Sequence, residues 1–293
     1  MDKLIYIMNI QIYCMEKNES DIIEQWIIYH SYLFGLNNLH VIDNISTDNT
    51  LNILNKYKEL GLNTYSYDNY KLKGDFICNL IQKSKCDIAI PLDIDEFIAL
   101  DIDGKISCNK EDIINEFNKM PYYGRYSFKY YLTSRNTMLF YENPIIDMIY
   151  FDKICNIYNN INNNKKFFKK ELLLELDHGN HKGIVKNFND NDCYITDLIL
   201  FHYHFRSIPK LIEKCINDIS GLGLISNIND RRELRDNIRN KSIGSHNMET
   251  YLKFLEKGPH SLLKYEYDCI KCNVLSNFFQ QLSQLSQLSQ LST

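Results

Sequence analysis

Asp93 and Asp95 stand two residues apart, directly after an apolar run (residues 87–92) that predicts a buried strand. In an extended chain the side chains of residues i and i+2 point to the same side, so both carboxylates can face one cation while Ile94 faces the core. Carboxylate oxygens are the ligands that Mg²⁺ and Mn²⁺ prefer, and an ion held by two of them keeps positions open for a substrate's phosphates. Acidic pairs at strand ends are common, however, so the pair alone is weak support for such a site.

The elements that would position this pair alternate between strands and helices over the first hundred residues. The strands are predicted at residues 10–15, 39–42, 63–67 and 87–92. The helices are predicted from Ser20 to Gly35, from 46–48 to Gly61, and over 76–85. In the second helix, Leu51, Ile53, Leu54 and Tyr57 are expected to face inward. This alternation predicts an α/β fold, a mostly parallel sheet with helices on both faces.

Two features depart from that regular pattern. Pro91 lies inside the fourth strand, where its missing N–H predicts a bulge or a switch in pairing. After residue 97 the strands are less regularly spaced, at 126–132, 172–176 and 195–205, and helix signals dominate from residue 208. The Asn-rich stretch 156–166 predicts an exposed loop or a low-complexity insertion, and the Gln-Leu-Ser repeat at the end predicts disorder. We therefore expect a catalytic domain over 1–215, a helical extension over 216–278 and a tail over 279–293.

In an open parallel sheet, ligands bind beyond the carboxyl ends of the strands, and three strand ends here carry polar residues. The first is followed by Asn18 and Glu19, and the second ends in Asp43 and Asn44. The fourth carries the acidic pair. Asp43 is expected to accept hydrogen bonds from a nucleobase or a ribose, with Asn18 and Glu19 beside it. Simple helix capping is nearly as good an interpretation of Asn18 and Glu19, and the better one for Asp48.

Together these residues carry a resemblance to known enzymes. The matching segments are Lys17-Asn18-Glu19 to His30, Leu33-x-Gly35, Val41 to Asn44 with Ser46, Asp48 and Thr50, Asp93-x-Asp95-Glu96-Phe97, and Phe201 to Ser207 with Lys214. Over residues 8–215 the chain resembles family-2-like glycosyltransferases with the GT-A (Rossmann-like) fold, closest to the subgroup labelled family 92 or DUF23-like. The resemblance implies transfer of a sugar from a nucleotide-diphosphate sugar, expected to be a UDP-sugar, to an acceptor hydroxyl on a glycan or protein. It also implies inversion at the anomeric carbon and a Mn²⁺ or Mg²⁺ cofactor.

The resemblance assigns roles residue by residue. Asp93 and Asp95 would hold the metal on the diphosphate, and His202 matches a histidine that can complete the metal shell. His204 lies on the same face of its predicted strand. Arg206 is a candidate phosphate contact, with a solvated arginine as an equal alternative. An inverting transfer needs a base for the acceptor hydroxyl. Asp177 and His181 are the candidates, within a segment (177–181) that reads equally well as a surface turn.

The composition narrows the function classes. A net charge of −4 gives no case for nucleic-acid binding. No run approaches the ~20 apolar residues of a transmembrane helix, and no signal peptide is visible. The 9 unpatterned cysteines suit a reducing compartment, so we expect a cytoplasmic location. The abundance of residues with AT-rich codons predicts an AT-rich genome, such as that of a large DNA virus or certain protists; for a virus, the host cytoplasm or the virion is the expected location.

Two other functions compete with a glycosyltransferase. A nucleotidyltransferase of the same fold would also place a nucleotide and a metal at the strand ends, but it should carry a Gly-rich phosphate loop after the first strand. Lys17-Asn18-Glu19 has no glycine. A catalytically degenerate sugar- or nucleotide-binding module would keep the fold without turnover, and the intact Asp93, Asp95 and His202 argue against it.

Overall fold

The computed structural model describes residues 8–155, 157–158, 161–162, 164–189, 192–223, 225–242, 244–264 and 267–291. The strands are β1 Ile10–Glu16, β2 Leu39–Asp43, β3 Asn63–Ser66, β4 Ile88–Leu92, β5 Glu96–Ile102, β6 Lys105–Ser107, β7 Arg125–Ser127, β8 Tyr131–Ser134, β9 Tyr150–Ile154, β10 Ile157–Tyr158, β11 Ile161–Asn162, β12 Lys166–Lys169, β13 Leu173–Leu176, β14 Gly183–Val185, β15 Tyr194–Ile195, β16 Leu198–His202 and β17 Ile270–Lys271. The α-helices are α1 Ile23–Phe34, α2 Thr50–Glu59, α3 Lys73–Lys83, α4 Lys110–Lys119, α5 Pro144–Asp147, α6 Ile208–Leu222, α7 Arg231–Arg239, α8 Ser245–Lys257 and α9 Val274–Leu291. Short 3₁₀ turns lie at Leu36–Asn38, Tyr70–Leu72, Lys170–Leu172 and Pro259–Leu262.

The chain forms two compact units. The first comprises the described residues of Met1–Leu132 and Lys153–His202, and the second those of Thr133–Asp152 and Tyr203–Thr293. Segment 133–152 thus joins the later part of the chain, a discontinuity that no composition shift in the sequence marks.

The main sheet of the first unit has the strand order β15-β7-β12-β4-β1-β2-β3. β1 pairs in parallel with β2 and with β4, and β2 pairs in parallel with β3. β12 is antiparallel to both β4 and β7. The fold is therefore α/β with a parallel-rich sheet, which confirms the predicted class.

The first helices show where local sequence signals succeed and fail. α1 ends at Gly35, which has the φ of 90° that favours glycine. It begins at Ile23 without a side-chain cap, so Ser20 is not the cap that its position predicted. In α2 the buried side chains are those of Thr50 and Leu54. Leu51 is 41% exposed, so its predicted inward orientation is wrong.

One face of the main sheet is covered by α3. Tyr13 and Met15 of β1 pack in one buried cluster with Ile77 and Ile81 of α3. Because successive side chains of a strand point to opposite faces, Cys14 between them points to the other side of the sheet, where it is also buried. The central strands therefore have apolar residues on both faces, which explains their nearly continuous apolar sequences.

Pro91 sits within β4, opposite Tyr13 of β1. On its other side, β4 pairs with β12 only through Ile88 and Ala89. The pairing with β12 therefore ends before the residue that has no N–H to donate, which is the switch in pairing that the proline predicted.

The last residues of the Asn-rich stretch, 164–166, do not form the exposed loop that its composition predicted. Ile157–Tyr158 pairs with Ile161–Asn162 in a short antiparallel hairpin. Asn164, Lys165 and Lys166 are all buried. The other residues of the stretch, 156, 159–160 and 163, lie outside the described part of the chain. Composition misled here because hydrogen bonds and ion pairs within the first unit satisfy the polar side chains of residues 164–166.

A further antiparallel group of strands in the first unit places two site residues. β5 pairs with β6 on one side and with β16 on the other, and the register puts His202 opposite Glu96. Since β5 begins directly after the Asp93-Ile94-Asp95 turn, the end of β16 is brought to the acidic pair.

The second unit is mainly helical, as the sequence predicted from residue 208 onward. α6 begins at the capping side chain of Ser207, which accepts from the N–H of Lys210. Ile208, Leu211, Leu234 and Met248 share its buried core. The Gln-Leu-Ser repeat, for which the sequence predicts disorder, continues α9 to residue 291; Gln and Leu are good helix formers and no Gly or Pro interrupts them. Among the described residues, no helix combines the length and apolar character that a bilayer-spanning segment requires.

Candidate functional site

The carboxyl ends of β1 and β2 lie side by side. Glu16 and Asp43 are opposite each other in the parallel register. The N–H of Asn44 donates to the carbonyl oxygen of Glu16 over 2.8 Å. Both carboxyl side chains are buried, with exposed fractions of 4% for Glu16 and 3% for Asp43. The structure thus brings Asp43 and Asn44 together with Glu16, a carboxyl group that the sequence analysis did not select.

The loops that follow β1 and β2 are joined by hydrogen bonds through Asn18. Its N–H donates to Ser46 Oγ at 2.9 Å, and its Oδ1 accepts from the N–H of Thr47 at 2.7 Å. The N–H of Ser46 in turn donates to Asp43 Oδ1 at 3.1 Å. Asn18 has a φ of 57°, a left-handed conformation that asparagine tolerates better than most residues. Its side chain therefore fixes the loop before α2 and does not cap α1.

Glu19 and Asp48 hold the starts of the first two helices. The carbonyl of Glu19 accepts from the N–H of Ile23 at 2.9 Å, and its N–H donates to Thr50 Oγ1 at 2.9 Å. Asp48 Oδ1 accepts from the N–H of Thr50 at 3.0 Å, at the first residue of α2. Asp48 thus accepts from the first N–H of α2, although the N-cap residue is Asn49 and makes no side-chain cap hydrogen bond.

The carboxyl group of Glu16 is held in an unfavourable environment for its charge. Burial raises its pKa well above the usual range, and the nearby carboxylates of Asp43 and Glu19 add to the rise. Its Oε2 accepts from Ser46 Oγ at 3.5 Å, while its Oε1 is buried with no hydrogen-bond partner among the described residues. This end of the sheet is rich in acceptors, which suits a ligand that brings N–H and O–H donors.

Asp93 is bound by two ammonium groups. Lys73 Nζ, from the first residue of α3, lies 2.7 Å from its Oδ1. Lys165 Nζ lies 2.6 Å from its Oδ2 and 2.7 Å from Glu96 Oε2. Glu96 Oε2 also accepts from the N–H of Asp93 at 2.8 Å, which closes the turn. The lysines are nearly fully buried, whereas the Asp93 side chain is 35% exposed.

These contacts set the charge states. Burial acts to raise the pKa of Asp93, but Lys165 and Lys73 outweigh it and hold that pKa well below its usual range. Burial raises the pKa of Glu96, and the attraction of Lys165 offsets only part of that rise. Burial would lower the pKa of Lys165, yet its two carboxylate partners raise it above the usual range. At neutral pH Asp93 is therefore a carboxylate and Lys165 an ammonium ion.

Asp95 faces a different partner. His202 Nε2, at the end of β16, lies 3.6 Å from Asp95 Oδ2. Asp95 is fully buried and the His202 side chain is 23% exposed. The ring of Tyr131 lies beside that of His202, with 5.9 Å between the centroids. The two acidic residues of the Asp-x-Asp pair thus have distinct surroundings, ammonium ions for Asp93 and an imidazole for Asp95.

A carboxylate oxygen and an imidazole nitrogen at this spacing fit a divalent transition metal such as Mn²⁺, which accepts both ligand types. Asp93 fits less well as a direct ligand, because each of its oxygens already contacts an ammonium group. Asp95 and His202 are therefore the stronger pair for metal ligation.

The 177–181 loop approaches the start of α3. A Cβ added to Gly74 would lie 2.4 Å from the carbonyl oxygen of Leu176 and 2.9 Å from the carbonyl carbon of Asp177, so only glycine allows this approach. Asp177 Oδ1 accepts from the N–H of Lys182 at 2.7 Å, which closes the loop. The described contacts give Asp177 a structural role, and no contact between it and Asp93 is found among them.

Histidines 178 and 181 differ in their surroundings. His181 is exposed, and a Cβ on Gly179 would lie 2.9 Å from its ring. The ring of His178 packs edge-on against Tyr70, with centroids 4.6 Å apart. Burial lowers the pKa of His178, and the positive charge of Lys73 lowers it further. His178, which the sequence analysis did not single out, is therefore close enough to Lys73 and Asp93 for their charges to affect its pKa.

Arg206 belongs to the second unit and is not a solvated surface arginine. Its side chain is 1% exposed, and its Nη1 donates to the carbonyl oxygen of Tyr203 at 3.2 Å. The exposed-arginine alternative is thus wrong.

No protein-family model matches this chain, and no curated protein matches it. Solved structures do. A mannosyltransferase from Pyrobaculum calidifontis in complex with GDP-Man and Mn²⁺ matches at 14% identity with a TM-score of 0.40, covering 88% of this chain and 73% of that one. TarS (residues 1–349) from S. aureus in complex with UDP matches at 13% identity and a TM-score of 0.38, over 85% and 73% of the two chains. Glucosyl-3-phosphoglycerate synthase from Mycobacterium tuberculosis, in complex with Mn²⁺, UDP and glucosyl-3-phosphoglycerate, matches at 14% identity and a TM-score of 0.40, over 73% and 78%.

Proposed function

We propose that this chain is a metal-dependent glycosyltransferase that moves a sugar from a nucleotide-diphosphate sugar to an acceptor hydroxyl with inversion. The observation that carries the proposal is the arrangement at the end of β4, where Asp95 faces His202 across 3.6 Å while Asp93 is fixed by two ammonium groups. Such a set serves a ligand that joins a divalent cation to an anionic diphosphate. The resemblance of the motifs to family-2-like glycosyltransferases supports the same conclusion.

In this proposal, different residues of the chain bind the metal and the nucleoside of the donor. Asp95 and His202 hold Mn²⁺ or Mg²⁺, which supplies Lewis-acid stabilisation of the departing diphosphate. The acceptor-rich end of β1 and β2 binds the nucleoside, with Asp43 and Asn44 as the primary contacts and Asn18 and Glu19 fixing their loop.

The acceptor hydroxyl has to lose a proton in an inverting displacement. The 177–181 loop is the proposed source of the base, because it carries two histidines and an aspartate beside the start of α3. His181 is the exposed histidine and Asp177 is the carboxylate of this loop. Imidazole titrates in the range that proton transfer at neutral pH needs.

The test is turnover and binding across a panel of UDP- and GDP-sugars with the purified full chain in Mn²⁺. We expect at least one donor to be hydrolysed slowly without an acceptor and to raise Tm. Asp95→Asn should abolish both effects, because it removes the charged metal ligand while keeping the side-chain shape.

Asp101→Asn is the matched control. Asp101 is an equally buried carboxylate of β5, where it accepts from Tyr130 Oη at 2.8 Å and from the N–H of Gly104 at 2.6 Å. This variant is expected to lose some stability and to keep Mn²⁺-dependent turnover. If no donor is turned over and none raises Tm in the wild-type chain, the proposal is wrong. Donor binding without any turnover would indicate a degenerate binding module, and formation of a nucleotide sugar from a nucleoside triphosphate would indicate a nucleotidyltransferase.

A further inference from the structure

We propose that Lys165 is a positioning residue for the donor site: its buried ammonium group fixes Asp93 and Glu96, so that Asp93 serves the nucleotide while Asp95 and His202 serve the metal. The inference rests on the proposed function. No motif of the resemblance includes Lys165, which lies in the Asn-rich stretch whose composition predicted an exposed loop.

The ammonium group of Lys165 forms buried ion pairs with two carboxylates. Its Nζ lies 2.6 Å from Asp93 Oδ2 and 2.7 Å from Glu96 Oε2, and its side chain is 1% exposed. Glu96 is 2% exposed, so the pair is withdrawn from water. Buried charged pairs of this kind hold their groups in one geometry, and removal of one partner leaves the other buried without compensation.

Lys165 is itself held in place by its neighbours. Its N–H donates to Tyr131 Oη at 2.6 Å, and its carbonyl oxygen accepts from the N–H of Phe128 at 3.2 Å. The side-chain amide of Asn164 donates to the carbonyl oxygens of Phe128 and Lys129 at 3.1 and 2.8 Å. Hydrogen bonds on both sides therefore hold the backbone of Lys165. Tyr131, which accepts one of them, also lies beside the ring of His202.

The charged residues at this end of the sheet therefore form two groups, one around Asp93 and one around Asp95. Lys73 and Lys165 contact the two different oxygens of Asp93, and Lys165 also compensates Glu96. A divalent cation that approached Asp93 would meet a positive charge on each oxygen, whereas Asp95 faces the imidazole of His202. Lys165 is buried beneath Asp93, which is 35% exposed, so Lys165 acts on a ligand through Asp93 and not by touching it.

Isothermal titration with two probes tests the inference: Mn²⁺ alone, and UDP or GDP in saturating Mn²⁺. The variants are Lys165→Met, Lys165→Arg and the matched control Lys166→Met. Lys166 is the adjacent residue and is also buried, but its Nζ donates to Asn164 O at 2.6 Å and to Ser127 Oγ at 3.3 Å. Loss of a residue that orients a metal ligand typically weakens metal binding or activity by about 10- to 100-fold, and we take the same range for the loss of nucleotide affinity.

We expect Lys165→Met to weaken nucleotide binding by about that factor while Mn²⁺ affinity stays within about twofold. Lys166→Met should lower Tm without changing either affinity. Lys165→Arg, which keeps the charge and folds more readily, should give an intermediate loss of nucleotide affinity, and in an Asp93→Asn background Lys165→Met should add little.

The inference is overturned if nucleotide affinity is unchanged in Lys165→Met or, should that variant not fold, in Lys165→Arg. An equal loss in Lys166→Met would also overturn it, since that result means general destabilisation. If the wild-type chain binds neither UDP nor GDP in Mn²⁺, the proposed function itself is contradicted. If the wild-type chain binds nucleotide and the Lys165 variants bind it equally well, only the role of Lys165 is contradicted.

Discussion

His202 Nε2 lies 3.6 Å from Asp95 Oδ2, although Asp95 lies in the turn before β5 and His202 ends β16, far apart in the sequence. The antiparallel pairing of β16 with β5 creates this relationship, because it sets His202 opposite Glu96, the residue after Asp95. The geometry of the pair is therefore fixed by backbone hydrogen bonds and does not depend on a flexible loop.

His202→Gln is expected to weaken Mn²⁺ affinity by about 10- to 100-fold, because an amide replaces the imidazole ligand. Activity should be recovered in part when Mn²⁺ is raised, which separates loss of metal from loss of fold. The same substitution at His260, an exposed histidine of the second unit, is the control and should change nothing. Equal Mn²⁺ dependence of the His202 variant and the wild-type chain would remove His202 from the metal site.

Gly74→Ala is expected to destabilise the first unit by about 2 kcal/mol, since the added Cβ would lie within 2.9 Å of backbone atoms of Leu176 and Asp177. Donor turnover should fall as well, because the 177–181 loop and Lys73 are displaced together. Urea unfolding and initial rates measure the two effects. Asn79→Ala, at an exposed position of the same helix, should leave both unchanged; an equal stability of the Gly74 and Asn79 variants would show that the loop does not press on α3.

Glu16→Gln is expected to stabilise the chain at pH 7. Burial and neighbouring carboxylates raise the pKa of Glu16, so its ionisation opposes folding at any pH above its unfolded value of 4.5. Each unit of that rise corresponds to about 1.4 kcal/mol, and the neutral amide avoids the penalty. The gain should shrink as the pH falls toward 4.5, which Tm measured from pH 4 to 8 will reveal. A gain that is independent of pH contradicts this explanation.

His30 predicts a pH dependence of opposite sign. Burial lowers its pKa to about 3, whereas the unfolded value is 6.5. The unfolded chain therefore takes up a proton as the pH falls below 6.5, and stability is lost by about 2 kcal/mol at pH 5 relative to pH 7. His30→Phe should remove that share of the loss in urea titrations at the two pH values. His260→Phe should not, and parallel curves for wild type and His30→Phe would refute the assignment.

Much of the fold could be predicted from the sequence, because the local sequence patterns agree with the observed burial of their residues. The strands around residues 10–15, 39–42 and 87–92 were apolar on both faces, and Gly35 marked a helix end. Leu51 was misjudged because an apolar residue on a helix need not lie on its packed stripe. The helical course of α9 through the repeat was missed because a three-residue leucine spacing offers no lasting apolar face, although the residues themselves favour helix.

Only the acidic residues of the candidate site could be predicted from the sequence. Asp43 ends β2, and Asp93 and Asp95 lie directly after β4, so their positions could be inferred from the topology of a parallel sheet. Lys73 and Lys165 could not, because each meets Asp93 through contacts between distant segments that no spacing encodes. One signal was present: Lys165 and Lys166 directly precede Phe167-Phe168, and lysines so close to a buried aromatic strand need partners in the interior.

Pro91 bears on how Lys165, one of the two lysines that contact Asp93, reaches that carboxylate. β4 and β12 pair through Ala89 and Phe168, and the same register, if continued, would set Lys166 opposite Pro91. The N–H of Lys166 instead donates to the carbonyl oxygen of Asn180 at 3.0 Å, which ties the 177–181 loop to β12. The pairing of β4 with β12 thus ends before the residue that lacks an N–H, and Lys165 reaches Asp93 and Glu96 from the segment that directly precedes β12. Pro91→Val restores the missing N–H, and any extension of the β4–β12 pairing to residue 91 in that variant would displace Lys165 from Asp93 without altering a charged side chain.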